Sequence, residues 1–190
     1  MDLILRGGRV IDPAQRLDAT CDVGFANGRV AAVAPRIAET AKDERDVAGA
    51  IVSPGMIDLH THVYWGGTSI GVEAEPIARR SGTTTFVDAG TAGPANFPGF
   101  RRHVIEPSAV RILAYLNVSF AGIFAFSRTV MVGEASDLRL LDLNECVRVA
   151  RENLDLVVGI KVRVGRGAGE RAASPRSTWQ SRWPRSSVCP

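Results

Sequence analysis

Two histidines separated by one residue are the strongest chemical signal in the sequence. His60 and His62 lie in the stretch 52–63, which is predicted to be a strand entered through a Pro-Gly turn. Because side chains alternate along a strand, Asp58, His60 and His62 are expected on one face and apolar residues on the other. Two imidazoles on one face can converge on a single metal ion. The alternative is a pair of edge-strand histidines that face water.

A lysine on a later predicted strand is the second chemically informative residue. Residues 156–164 are predicted to form a strand on which Gly159, Lys161 and Arg163 share an inward face. A buried ammonium must be paired, neutral or chemically modified, because an unpaired buried charge is very costly. Lysine, unlike arginine, can lose its proton on burial and act as a nucleophile. A barrel lysine that bridges carboxylates is the alternative.

The elements expected to position these residues alternate between strands and helices. Strands are predicted over 52–63, 83–88, 110–118 and 156–164, helices over 75–81, 97–107 and 142–154, and a long loop over 119–140. This alternation is typical of a parallel sheet or barrel. In a (β/α)₈ barrel the functional residues lie at the C-terminal ends of the strands.

The chain is predicted to have three parts. Residues 1–50 contain short, turn-bounded apolar segments, with an Asn27-Gly28 hairpin signal, and are expected to form a small N-terminal β-sandwich module. Residues 51–166 hold about four βα units, so the fold class is α/β with a partial (β/α)₈ barrel, since a full barrel takes about 250 residues. Residues 167–190 form an Arg-, Ser- and Pro-rich tail with the composition of a disordered segment.

The composition changes abruptly after Ala168. We therefore hypothesise that the chain is a truncated product whose end is read out of frame. A genuine flexible basic tail is the alternative.

The order of these features resembles the amidohydrolase superfamily. The resemblance rests on the opening Gly7-Gly8-Arg9-Val10-Ile11-Asp12, on Asp58-Leu59-His60-Thr61-His62 after Pro54-Gly55, and on the lysine of the fourth barrel strand. Within that superfamily, residues 62–68, 86–90 and 159–165 are similar to the dihydroorotase-like deacetylases.

The resemblance implies a metal-dependent hydrolase of amide, cyclic amide or acyl-ester bonds that uses a metal-activated hydroxide. It implies two divalent metals, usually zinc (Zn²⁺), with His60 and His62 binding the more buried one. Lys161 would become a carbamate that bridges the two metals and takes part in catalysis. The family pattern continues with two histidines and an aspartate that have no match here, and His103 is expected on a helix surface. We therefore expect the 190-residue chain to be inactive or nearly so; a non-catalytic assembly or interaction protein is the alternative.

Five further residues are candidates for contact with substrate. Asp88 and Asn117 end the second and third predicted barrel strands, where barrel residues tend to bind or catalyse. Each could equally cap its loop. Tyr64, Trp65 and Gly66 follow the histidines directly, although an aromatic side chain there could simply cover the barrel rim.

Charge argues against a nucleic-acid partner for the folded part. The net charge is +3, but residues 165–190 carry five arginines and one glutamate, which leaves residues 1–164 with −1. A basic binding face is the first requirement of nucleic-acid recognition, and the folded part lacks one. Nucleic-acid binding through the arginine tail is therefore the least favoured of the functional hypotheses.

Composition also bears on compartment and partners. No apolar run approaches the length of a membrane span, and the first residues lack the pattern of a signal peptide. Cys21, Cys146 and Cys189 have no metal-type spacing. The expectation is a cytoplasmic protein that acts on a small-molecule amide or ester, without a nucleic-acid or membrane partner, and with homo-oligomerisation left open.

Overall fold

The computed structural model describes residues 1–127 and 129–163. They divide into two compact units, the first Met1–Gly55 and the second beginning at Met56. The predicted tail, 167–190, and the last three residues of the predicted barrel segment lie outside the described residues. Among the helices that are described, none is long and apolar enough to cross a bilayer.

The first unit is a five-stranded sheet with the order β3-β2-β1-β4, in which β5 also pairs with β1. Its strands are β1 (Leu3–Asp12), β2 (Leu17–Ala26), β3 (Arg29–Ala34), β4 (Asp43–Asp46) and β5 (Ile51–Val52). Asn27 and Gly28 both have positive φ, at 52° and 71°, which confirms the predicted tight turn between β2 and β3. The described residues of this unit form a single sheet, so the predicted sandwich is not confirmed.

The Gly7-Gly8 pair does not break the first strand. The short apolar segments expected in this region are joined here into one continuous strand, β1, with a bulge between Leu5 and Gly8. Gly7 takes a φ of +70°, and a Cβ at Gly8 would lie 2.7 Å from Val52 Cγ2. The glycine pair therefore allows β5 to pack closely against β1, and it does not end the strand.

The second unit is built on a four-stranded sheet with the order β11-β8-β7-β6, and all its strand pairs are parallel. Its elements are β6 (Met56–Thr61), α1 (Ala74–Ser81), β7 (Thr83–Ala89), α2 (Phe97–Phe100), β8 (Arg111–Asn117), β9 (Ile123–Phe126), β10 (Met131–Gly133), α3 (Leu143–Glu152) and β11 (Val157–Lys161). The predicted alternation of strands and helices is confirmed.

Apolar packing between this sheet and its helices forms the core of the second unit. Phe97 and Phe100 of α2 and Cys146 and Val149 of α3 are buried, as is Phe86 of β7. Helix α3 begins where predicted, because the Asp142 carboxylate accepts a hydrogen bond from Glu145 N at 3.0 Å.

Two segments of the second unit differ from the prediction. The long loop expected over 119–140 contains the antiparallel hairpin β9–β10 and a 3₁₀ turn, Leu138–Leu140. The helix predicted over 97–107 is α-helical only in α2 and continues as a π-helix over Arg101–Ile105. There the Glu106 N–H donates to the Arg101 carbonyl five residues earlier, at 2.9 Å.

Candidate metal centre

The C-terminal ends of the parallel strands bring the predicted site residues to one edge of the sheet. In the strand pairing, Thr61 of β6 lies opposite Asp88 of β7, and Lys161 of β11 lies opposite Asn117 of β8. His62 follows directly after β6. In parallel α/β sheets this edge is where ligands and catalytic groups are found.

The two histidines lie side by side at this edge. Their ring centroids are 5.6 Å apart and the ring planes meet at 78°. The register between β6 and β7 shifts between Asp58 and Thr61, so the pairing is irregular at this point. His60 is exposed and His62 is half-buried. The alternative of two water-facing histidines therefore fits His60 but not His62. The Asp58 carboxylate accepts a hydrogen bond from His60 N at 3.1 Å.

The environment keeps the His62 ring neutral. Burial, together with the nearby charges of His60, Lys161 and Arg163, lowers the pKa of His62 from its ordinary value of 6.5 to about 4. A neutral imidazole is the form that binds a metal ion. Near pH 7 the ring is therefore ready to act as a ligand.

Lys161 is half-buried and packs against Gly90. A Cβ atom added at Gly90, whose φ is +82°, would come closer than 3.0 Å to both Cβ and Cγ of Lys161. Among the described residues, no carboxylate forms a salt bridge with Lys161. The described residues therefore give no support to the alternative in which Lys161 bridges carboxylates.

Asp88 and Asn117 are buried, with relative exposures of 0% and 1%. Burial raises the pKa of Asp88, although hydrogen bonds from Thr91, Val63 and Gly90 act in the opposite direction. The Asn117 side chain donates to the Gly90 carbonyl at 2.9 Å and accepts from Ser119 N at 3.0 Å. Both side chains thus hold the loops that follow their strands, as the capping alternative describes. Their contact with substrate stays a prediction.

The three residues after His62 are placed differently from one another. Tyr64 stacks on Phe100 with ring centroids 4.6 Å apart, so its ring packs against α2. Trp65 is 59% exposed and lines a surface groove together with Arg79 and the exposed His103. Gly66 is exposed with a φ of +75°. The tyrosine fits the alternative of an aromatic that covers the rim, and the contact of these residues with substrate stays a prediction.

Sequence reasoning missed Thr91 and Glu134 near this edge, and it placed Arg163 on the inward face of its strand without giving it a part in the site. Thr91 contacts His62, with Oγ1 at 2.8 Å from Nδ1. Arg163 forms an ion pair at 3.0 Å with the buried Glu134 and lies 4.8 Å above the centre of the Phe126 ring. The position of Thr91 three residues after Asp88 is a turn signal that could have drawn attention to it. Glu134 lies in a stretch without periodicity, where no signal was available.

The donors present fit a zinc ion in kind but do not complete its usual set. Imidazole nitrogens are common zinc ligands, and four ligands are usual. Among the described residues, no group of three or more His, Cys, Asp or Glu side chains could hold a metal. Of the four usual ligands, His60 and His62 could supply two, and Lys161 would offer oxygen atoms only as a carbamate.

Comparisons with known proteins agree on one group of enzymes. No family model matches the chain. It is 43% identical over 138 residues to a deacetylase of Agrobacterium fabrum and 42% identical over 148 residues to a deacetylase of Brucella anthropi. These alignments cover 72% and 77% of this chain but 33% and 36% of the relatives. The chain thus spans about a third of the length of the curated relatives that it matches.

A solved structure gives the same picture. The crystal structure of a dihydroorotase superposes with a TM-score of 0.74 and 34% sequence identity. The superposition covers 86% of this chain and 43% of that one.

Proposed function

The chain belongs to the amidohydrolase superfamily, within its dihydroorotase-like deacetylase group, and from this membership we propose a metal-dependent hydrolase of amide, cyclic amide or acyl-ester bonds. The observation that carries the proposal is the convergence of His60, His62 and Lys161 at the C-terminal edge of the parallel sheet. The names of the relatives, deacetylase and dihydroorotase, support a small-molecule acyl or cyclic amide substrate.

The proposed architecture is a partial (β/α)₈ barrel. Its support is the sequential order of the four parallel strands, since a barrel adds each new strand beside the previous one. The C-terminal edge is then the rim around which a barrel enzyme places its catalytic residues.

His60 and His62 are the proposed zinc ligands, and Lys161 is the proposed carbamate ligand that bridges two zinc ions. When bound, zinc ions supply an acidified water as nucleophile and polarise the substrate carbonyl. The chain's own contribution is to hold the two imidazoles side by side, to lower the pKa of His62, and to place near it a lysine that has no carboxylate partner among the described residues. Carboxylation of Lys161 would place an anion where the surrounding charge is positive.

The residues around the centre have proposed parts as well. Tyr64, Trp65, Gly66, Asp88 and Asn117 are the proposed substrate contacts. Asp88 and Asn117 also hold the loops that follow their strands. We propose that the 190-residue chain alone is inactive or nearly so, because His60 and His62 make up only part of a binuclear ligand set. Robust zinc-dependent deacetylation by this chain would contradict that part of the proposal.

Zinc binding tests the centre directly, because the chain has only three histidines. We would load the purified chain with zinc, remove loosely held metal by dialysis and measure the retained metal for H60A, H62A and the matched control H103A. The expected result is that H60A and H62A lose most of the zinc and H103A retains it. Equal zinc content in all three variants would overturn the proposed centre.

A further inference from the structure

We propose that Thr91 and Asp88 are positioning residues that hold His62 in the tautomer with its proton on Nδ1. The Nε2 lone pair is then free for the metal ion. The inference rests on the proposed metal centre and adds to it two residues that do not themselves bind the metal.

A chain of two short hydrogen bonds connects the ring to the carboxylate. His62 Nδ1 lies 2.8 Å from Thr91 Oγ1, and the Thr91 hydroxyl donates to Asp88 Oδ2 at 2.7 Å. A hydroxyl has one proton to give. Because that proton goes to Asp88, the Thr91 oxygen can only accept, so the donor is the Nδ1–H of His62.

The main chain fixes the direction of this relay. The Asp88 carboxylate also accepts hydrogen bonds from Val63 N at 2.9 Å and from Thr91 N at 2.7 Å. Main-chain N–H groups can only donate, and they reach both oxygens of the carboxylate, Oδ2 from Val63 and Oδ1 from Thr91, which favours its acceptor form against the effect of burial. Every bond around Asp88 therefore points toward it.

Burial protects the relay from exchange with water. Asp88 and Thr91 both have 0% relative exposure, whereas His62 is half-buried. The ring thus has one edge anchored in the interior and the other directed away from the anchor. Metal-binding histidines are commonly oriented in this way, by a group that does not touch the metal but accepts a hydrogen bond from the other ring nitrogen. Loss of such a group typically weakens metal binding by about 10- to 100-fold.

A purely structural role is the competing explanation, since the same bonds also fix the loop after β7. The variant T91V removes the hydroxyl at nearly constant volume, and T91S retains it. The matched control is T83V, which removes a buried hydroxyl at the other end of β7, where the partner is Ser81. Any general cost of losing a buried threonine hydroxyl should appear in both valine variants.

The first readout is the tautomer itself, in the metal-free chain of 190 residues. With ¹⁵N-labelled histidine, the two ring nitrogens have distinct chemical shifts, and H60A and H103A assign the His62 signals. The expected result is Nδ1–H in the unsubstituted chain, in T91S and in T83V, and loss of that preference in T91V. An Nε2–H tautomer in the unsubstituted chain would overturn the proposal, and this measurement holds even if T91V does not fold.

The second readout is the zinc dissociation constant from competition with a chromogenic chelator. T91V should bind about 10- to 100-fold more weakly, T91S should restore binding and T83V should leave it unchanged. If zinc binding needs His62 but T91V binds as tightly as T83V, the relay is wrong and the metal centre stands. If H62A binds as well as the unsubstituted chain, the proposed centre fails, and the tautomer still decides the relay.

Discussion

Gly90 lies directly against the aliphatic stem of Lys161. A Cβ atom at position 90 would come closer than 3.0 Å to both Cβ and Cγ of the lysine, and the φ of Gly90 is +82°. Only glycine meets both conditions without strain. The placement of the lysine at the sheet edge therefore depends on the absence of a side chain at Gly90, in the loop that follows β7, although β8 lies between β7 and β11 in the sheet.

Replacement of Gly90 by alanine should destabilise the second unit by about 2 kcal/mol or more. Left-handed backbone strain costs about 1 kcal/mol, and overpacking against Lys161 adds about 1–3 kcal/mol. Urea unfolding measures the change. The matched control is G82A, because Gly82 has a φ of +70° but an added Cβ would meet only Met56 Cε at an ordinary 3.7 Å. Equal losses in the two variants would show that the contact with Lys161 has no energetic consequence.

Carboxylation should occur at Lys161 and not at the other lysine of the chain. We expect a carbamate carbon signal when the zinc-loaded chain is equilibrated with ¹³C-bicarbonate, and loss of that signal in K161R, since a guanidinium stays protonated. The control is K42R, because the Lys42 ammonium is exposed and paired with Asp2 at 2.8 Å. A signal that persists in K161R and disappears in K42R would refute the assignment.

Local signals in the sequence were sufficient for the strands that carry the site. The alternation around His60 and Lys161 predicted β6 and β11, and the Asp142 cap predicted the start of α3. The relay from His62 to Thr91 could not be predicted in this way, because it joins residues 29 positions apart through the pairing of β6 with β7. Long-range register is not encoded in a local pattern.

Burial was predicted less well than strand identity. The face of β6 opposite the histidines is apolar as expected, but the alternation did not predict its exposure: Ile57 is 61% and Leu59 66% exposed. Alternation of apolar and polar residues shows that one face of a strand is apolar. It does not show which part of the protein, if any, packs on that face. The same limit applies to the hairpin β9–β10, whose Gly- and Phe-containing sequence has no clear period.

The exposed face of β6 should promote self-association. Exposed apolar side chains on an outer strand are a common cause of strand-to-strand pairing. We expect L59K to lower the average mass of the chain in light scattering, because a charge on this face opposes association. The control is L154K, since Leu154 is 64% exposed but follows α3 and lies in no strand. A similar fall in mass for both variants would indicate general solubility and not pairing through β6.

Asp22 should make the first unit sensitive to acid. Its buried carboxylate accepts hydrogen bonds from Ile37 N at 3.0 Å, Arg6 Nη1 at 2.9 Å and Gly7 N at 2.9 Å. The bond from Ile37 is the largest influence that lowers the pKa of Asp22 below its ordinary value of 3.8, and burial opposes it. Because the folded-state pKa lies below the unfolded one, the stabilisation is present above about pH 4 and is lost as the pH falls through the folded-state pKa.

The variant D22N tests this dependence. At pH 7 it should lose about 1.5–3 kcal/mol of unfolding free energy, the range for hydrogen bonds to a charged group, and its stability should fall less steeply below pH 4. Denaturant unfolding at pH 7, 5, 4 and 3 measures both effects. The control D18N also removes an arginine-paired carboxylate, but the Asp18–Arg9 pair is more than half exposed, so water and salt screen it and the change should be small. If D22N and D18N had the same stability at every pH, the buried hydrogen bonds of Asp22 would not be the source of acid sensitivity.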